Sequence, residues 1–184
     1  MLADSEKAVL AGLVDAWFDE VGPERWYNST PEIDAMLRLR YGEFLEEQGA
    51  REAGEFLTDP NTALGAAILF DQVPRNIQRG TRQAYGWDEI ARTLAREMLQ
   101  LGWTQAMGPD RAQFALMPLM HSEILADQDA SVRWFAELVP DALDFARKHR
   151  EAIVRFGCFP HRNAVLGRQT SPEQQRAIDE GLSW

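Results

Sequence analysis

DPNTALGAAILFDQVPRN, residues 59–76, is the stretch on which the fold turns. Asp59 can accept from the first free N–H groups of a helix, and Pro60 suits the first helical position, where no N–H is needed. The run from Ala63 to Phe70 is apolar on nearly all sides, so it predicts a helix at the centre of the molecule. Pro74 is expected to end that helix. A carboxylate, two amides and a guanidinium follow directly on the apolar run: Asp71, Gln72, Asn76 and Arg75. Polar groups so close to a core need partners.

Working outward, the periodicity is helical nearly everywhere. Ser5 is expected to cap a first helix carrying Val9, Leu13, Ala16 and Trp17, stopped by Gly22-Pro23. A second follows Thr30-Pro31 and buries Ile33, Met36, Leu37, Tyr41, Phe44 and Leu45 up to Gly49. On the other side, a helix spans about residues 88–101 and stops at Gly102. A shorter one covers about 110–117, before Pro118. Ser122 is expected to cap a helix running to Val139, with Glu123 and Asp127 at i and i+4 on one face. Another begins at Asp141 and closes at Gly157, and the last follows Ser171-Pro172-Glu173. No stretch reads as a strand. The expected class is all-α, with short loops joining antiparallel hairpins in one domain over residues 1–184.

Composition narrows the function classes. With 184 residues, 45% hydrophobic and 26% charged, the chain reads as an ordinary globular protein. No apolar run approaches the roughly 20 residues that span a bilayer. The N-terminus lacks the basic and apolar regions of a secretory signal, so the cytoplasm is the expected compartment. The single cysteine, Cys158, allows neither an internal disulfide nor an all-cysteine metal site. A net charge of −10 argues against nucleic acid and anionic membranes as partners. The charge is uneven, however. Arg75, Arg79 and Arg82 sit in an acid-free stretch, and Arg147, Lys148, Arg150, Arg155, Arg162 and Arg168 are accompanied only by Glu151. These islands either bind an anion or pair across the fold with the acidic N-terminal half.

Three stretches crowd polar groups beside apolar ones: DQVPRN at 71–76, HSEILADQ at 121–128, and RFGCFPHRN at 155–163. Together with Trp17-Phe18 and Arg25-Trp26, and with the longer runs DQVPRNIQRG and RFGCFPHRNAVLGR, they resemble the bacterial family known as domain of unknown function nine hundred and twenty-four. The resemblance covers nearly the whole chain. It departs from the usual family pattern at Val73, where phenylalanine is common, and at Cys158, where arginine is. It implies an all-helical, tetratricopeptide-like fold and no established activity.

The candidate ligand-binding residues are Asp71, Gln72, Arg75, Asn76, His121, Glu123, Asp127, Gln128, Arg155, His161, Arg162 and Asn163. The arginines would hold an anion and the amides would orient it, giving a module for a small anionic metabolite or an acidic peptide. Carboxylate, histidine and arginine also form a usable acid–base set, so a small hydrolase or lyase acting on an anionic substrate is the alternative. A buried polar network tying helix ends together explains the same residues structurally. His149 falls on the stripe Ala142, Phe145, Ile153, Phe156 and reads as a buried core histidine. No HxxxH or HExxH spacing, glycine-rich phosphate loop or dinucleotide fingerprint occurs, so neither metal nor cofactor is expected. Ser122 reads as a cap rather than a nucleophile. Arg155 is expected to reach Asp71 or Glu123 in the interior. The sequence sets no oligomeric state.

Overall fold

The computed structural model describes residues 1–181; the end of the expected domain, residues 182–184, lies outside the described residues. Among these residues the regular structure is helical, with no strand. The α-helices are α1 (Asp4–Asp15), α2 (Pro31–Gln48), α3 (Pro60–Ile77), α4 (Asp88–Gln100), α5 (Pro109–Met120), α6 (Leu125–Leu138), α7 (Leu143–Phe156), the single turn α8 (Asn163–Leu166) and α9 (Pro172–Asp179). They pack in one domain. No helix among the described residues is long and apolar enough to cross a membrane.

α3 is the axis of the packing. Its residues from Thr62 to Pro74 are all buried, as its all-round apolar surface requires. It packs against α1, α2, α4 and α5, while α5 in turn packs against α6 and α7. One hydrophobic cluster runs without a break from Leu2 to Ala146. The approach of α1 to α3 is close because Gly65 has no side chain: a Cβ there would lie 2.6 Å from the carbonyl oxygen of Leu10.

Local capping chemistry explains several boundaries. Asp59 accepts from the N–H groups of Asn61 and Thr62, both at 3.0 Å, and Thr30 and Ser171 cap α2 and α9 ahead of a proline. Gly157 closes α7 at φ 69°, a left-handed conformation that costs glycine nothing.

Four expectations are corrected. Ser5 lies inside α1; the N-cap is Ala3, two residues earlier, whose N–H donates to the Glu6 carboxylate 2.7 Å away. α1 then widens into a π-helical turn, Ala16–Val21, and the carbonyl of Trp17 accepts from both Gly22 N–H and Trp26 Nε1–H. Pro74 does not end α3, which continues to Ile77. Around the lost N–H, side chains of the following turn bond to the turn before it: Arg75 Nη1 donates to the carbonyl of Asp71 and Asn76 Nδ2 to that of Gln72. Pro118 likewise sits inside α5. The carbonyls at the end of α5 are met by the Gln128 amide, which donates to Met120 O at 2.7 Å and Ser122 O at 2.6 Å. Finally, Ser122 is no N-cap, because α6 starts only at Leu125. Its hydroxyl accepts from Ile124 N–H and donates to Asp127, so Glu123 stays outside the helix and never shares a face with Asp127.

Candidate functional site

The three polar stretches meet in space. Asp71, on α3, is buried, and His121 at the end of α5 points Nδ1 at its two carboxylate oxygens from 2.8 and 2.9 Å. Gln72 Nε2 also donates to this carboxylate, and Arg75 pairs with it at 3.1 Å. Arg75 extends further to Asp88, the first residue of α4, at 2.8 Å. Asp88 is shared with Arg162, 3.1 Å away, from the short turn Pro160–Arg162. The Arg162 guanidinium lies between two rings, 4.5 Å from the centroids of both Tyr85 and Phe159. Such a sandwich suits a planar, weakly hydrated cation. Only 5% of Arg162 is exposed.

Of these groups, Gln72, Arg75, Tyr85, His121 and Arg162 border a cavity of about 440 Å³. Its polar wall holds Arg75, Arg79, Arg162, His121, His149, His161, Gln72 and Asn76; its apolar wall holds Trp26, Tyr27, Met117, Met120, Phe135 and Phe145. No aspartate or glutamate lines it. The carboxylates that balance the arginines stand behind them: Asp71 and Asp88 behind Arg75 and Arg162, and Asp34 against Arg79 at 3.2 Å.

The other candidates are placed differently. Glu123 accepts from Phe159 N–H at 2.7 Å and takes a two-pronged ion pair from Arg168 at 2.6 and 2.9 Å, which ties the α5–α6 connection to the segment after α7. Asp127 turns away to Ser122 and to Arg96, whose Nη2 lies 2.5 Å from it. Gln128 is spent on the end of α5, and Asn163 on Gln169, Thr170 and Gln174. None of these four borders the cavity. Arg155 is the clearest correction. It reaches neither Asp71 nor Glu123 but pairs on the surface with Glu173 of α9 at 2.9 Å, both about half exposed. It leans on the ring next to it, Phe156, 4.7 Å away. Conversely, Arg79, Tyr85, Asp88 and Arg168 belong to the site or its support and were not among the candidates. Arg79 and Arg168 had a signal, since both lie in the basic islands.

A family model described as bacterial protein of unknown function, DUF924, matches residues 13–181. The chain belongs to the DUF924 family. A solved structure, that of a protein of unknown function from Agrobacterium tumefaciens, is 33% identical and superposes with a TM-score of 0.88. The match covers 95% of this chain and 98% of that one. No curated protein matches. The all-helical fold is thus shared with this Agrobacterium protein, while the chemistry has to be read from the site.

The electrostatics of this DUF924 cavity follow from burial. Desolvation works against the charged form of Asp71, but Arg75 and His121 outweigh it and hold the carboxyl far below its usual range. Asp71 is therefore an anion, His121 Nδ1 donates to it, and Nε2 is left as the basic nitrogen. Burial, aided by Arg75 and Arg162, keeps the His121 imidazole neutral despite Asp71. His149 donates from Nδ1 to the carbonyl of Phe145 at 2.8 Å; burial and the neighbouring His121 push it down to about 2. Burial and Arg162 push His161 down to about 4. The wall thus presents arginines and neutral imidazoles at neutral pH. Burial also pushes the Cys158 thiol up, away from a reactive thiolate. Among the described residues no cluster of three or more His, Cys, Asp or Glu side chains could hold a metal ion.

Proposed function

We propose that this protein binds a small organic anion in the cavity between α3, α5 and α7. One observation carries the reading. In a chain of net charge −10, the cavity wall carries three arginines and no carboxylate. Guanidinium groups held by carboxylates from behind keep their orientation and offer their remaining N–H donors forward. The Arg162 guanidinium makes one hydrogen bond among the described residues, to Asp88, so its fork is not used up. The apolar wall suits the body of a metabolite, in keeping with ligand cavities of about 300–1,000 Å³. An acidic peptide would enter by a single terminal or side-chain carboxylate. A thermal-shift titration tests the reading: organic anions at constant ionic strength raise Tm in a saturable way, organic cations do not, and Arg162→Gln abolishes the effect. Equal shifts with cations and anions refute it.

A second reading, a hydrolase or lyase on the same anion, has its own support in the Asp71–His121 pair. A carboxylate that fixes the imidazole tautomer leaves Nε2 as a proton acceptor beside the bound ligand. Once a ligand is in hand, His121→Gln separates the two readings, because a binding module keeps its whole function and an enzyme loses turnover while still binding.

A further inference from the structure

We propose that the anion taken by this cavity is an arenecarboxylate: one carboxylate carried on a flat aromatic body. The inference rests on the anion-binding reading above. It comes from two rings, Tyr27 and Phe145, that both line the cavity and yet are 65% and 57% exposed, which puts them at its rim. The rings lie within 12° of parallel with centroids 6.3 Å apart. A centroid separation of that size between near-parallel rings is that of an offset stack, so the two rings form one aromatic shelf at the mouth of the cavity.

The two sides differ in freedom. Phe145 rides on α7, whereas Tyr27 lies in the connection between the π-turn and α2, outside any helix. Its neighbour Trp26 is anchored, with Nε1 donating to the carbonyl of Trp17 at 2.9 Å and its ring edge-on to Phe114. The anchored Trp26 thus positions the backbone beside Tyr27. Two aromatic faces left in water at the mouth of a cavity bury little on folding, and they gain most when a planar ligand covers them.

The charge is argued from the counter-ions. Arg75 and Arg162 already face Asp71 and Asp88, and Arg79 faces Asp34. The wall therefore offers N–H donors with little surplus charge. Each negative charge brought in meets counter-ions already in place, so a single carboxylate is opposed less than a dianionic phosphate ester.

Calorimetric titration at constant ionic strength tests this with benzoate, phenylacetate and indole-3-acetate, against acetate, phenyl phosphate and neutral phenylacetamide. At least one arenecarboxylate is expected to bind about tenfold or more tightly than acetate. Tyr27→Ala and Phe145→Ala, both at exposed positions that tolerate truncation, should remove that advantage and leave acetate unchanged. If acetate binds as well as all three arenecarboxylates, the aromatic inference falls and the anion reading stands. If phenyl phosphate binds tighter than every arenecarboxylate, the assignment of a single charge falls. If phenylacetamide matches phenylacetate, or no anion binds, the anion reading falls with it.

Discussion

His121 Nδ1 sits 2.8 Å from Oδ1 and 2.9 Å from Oδ2 of Asp71, which joins the end of α5 to the middle of the central helix. The carboxylate is buried and also serves Arg75 and Gln72, so one aspartate organises a histidine, an arginine and an amide around the cavity.

Asp71→Asn should cost about 3–5 kcal/mol at pH 7, because Arg75 keeps its buried charge while losing this partner. The carboxyl is held below its ordinary value near 3.9, so its stabilisation is complete above about pH 4 and is lost as pH falls further. Urea melts at pH 7 and pH 3 check both points: the gap between parent and variant narrows at the lower pH.

Histidine titration acts in a higher window. The folded-state values, about 2 for His149 and about 4 for His161, lie below the ordinary 6.5. Below pH 6.5 the unfolded chain takes up protons that the folded one refuses, so stability is full above that pH and falls as the solution is acidified toward 4. Each histidine contributes a slope of up to about 1.4 kcal/mol per pH unit. His149→Gln should show a shallower decline of the urea midpoint between pH 7 and 5 than the parent.

Arg155→Lys should be nearly silent, within about 1 kcal/mol, since its pair with Glu173 is solvent-exposed. Arg162→Lys should cost about 1.5–3 kcal/mol, because an ammonium cannot reproduce a planar group held between Tyr85 and Phe159 and bonded to Asp88. Paired denaturation curves rank the two; a larger effect at Arg155 would contradict the structure.

Two glycines in or beside α1 should respond in opposite directions. Gly65→Ala drives a Cβ into the Leu10 backbone and should destabilise by about 1–3 kcal/mol as α1 is pushed off α3. Gly12→Ala meets nothing within 4 Å and lies inside α1, so it should stabilise by about 0.5–1 kcal/mol. Thermal melts of the two variants give shifts of opposite sign.

Much of the site is legible in the sequence. The crowding of Asp71, Gln72, Arg75 and Asn76 after an apolar run, and of His161 and Arg162 after Pro160, marked groups that had to find partners in the interior. Arg155 shows where such reasoning stops. It stands two positions past the buried Ile153, and a rotation of about 100° per residue around a helix separates the core from solvent. Tyr85, Trp26 and Tyr27 carried no polar signal of their own; their part in the cavity comes from the loops that bring them beside α3 and α7.

The sequence alone determined the helices, because the bonds that start and stop them join neighbours: Asp59 with Asn61 and Thr62, Ser171 with Gln174, and the left-handed turn of Gly157. Those interactions span a few residues and need no tertiary context. The tertiary structure decided the rest. It carried α3 and α5 through Pro74 and Pro118 by burying both turns, and for α5 by bringing the Gln128 amide of α6 to the carbonyl of Met120 at its end. It also chose which acid each arginine meets. In a chain with 29 acids every arginine has many electrostatically acceptable partners, and only the packing of distant segments brings Asp88 to Arg162, Glu123 to Arg168 and Glu173 to Arg155. Coulomb attraction favours pairing in general, but the few ångströms over which a pair is worth forming are set by the fold.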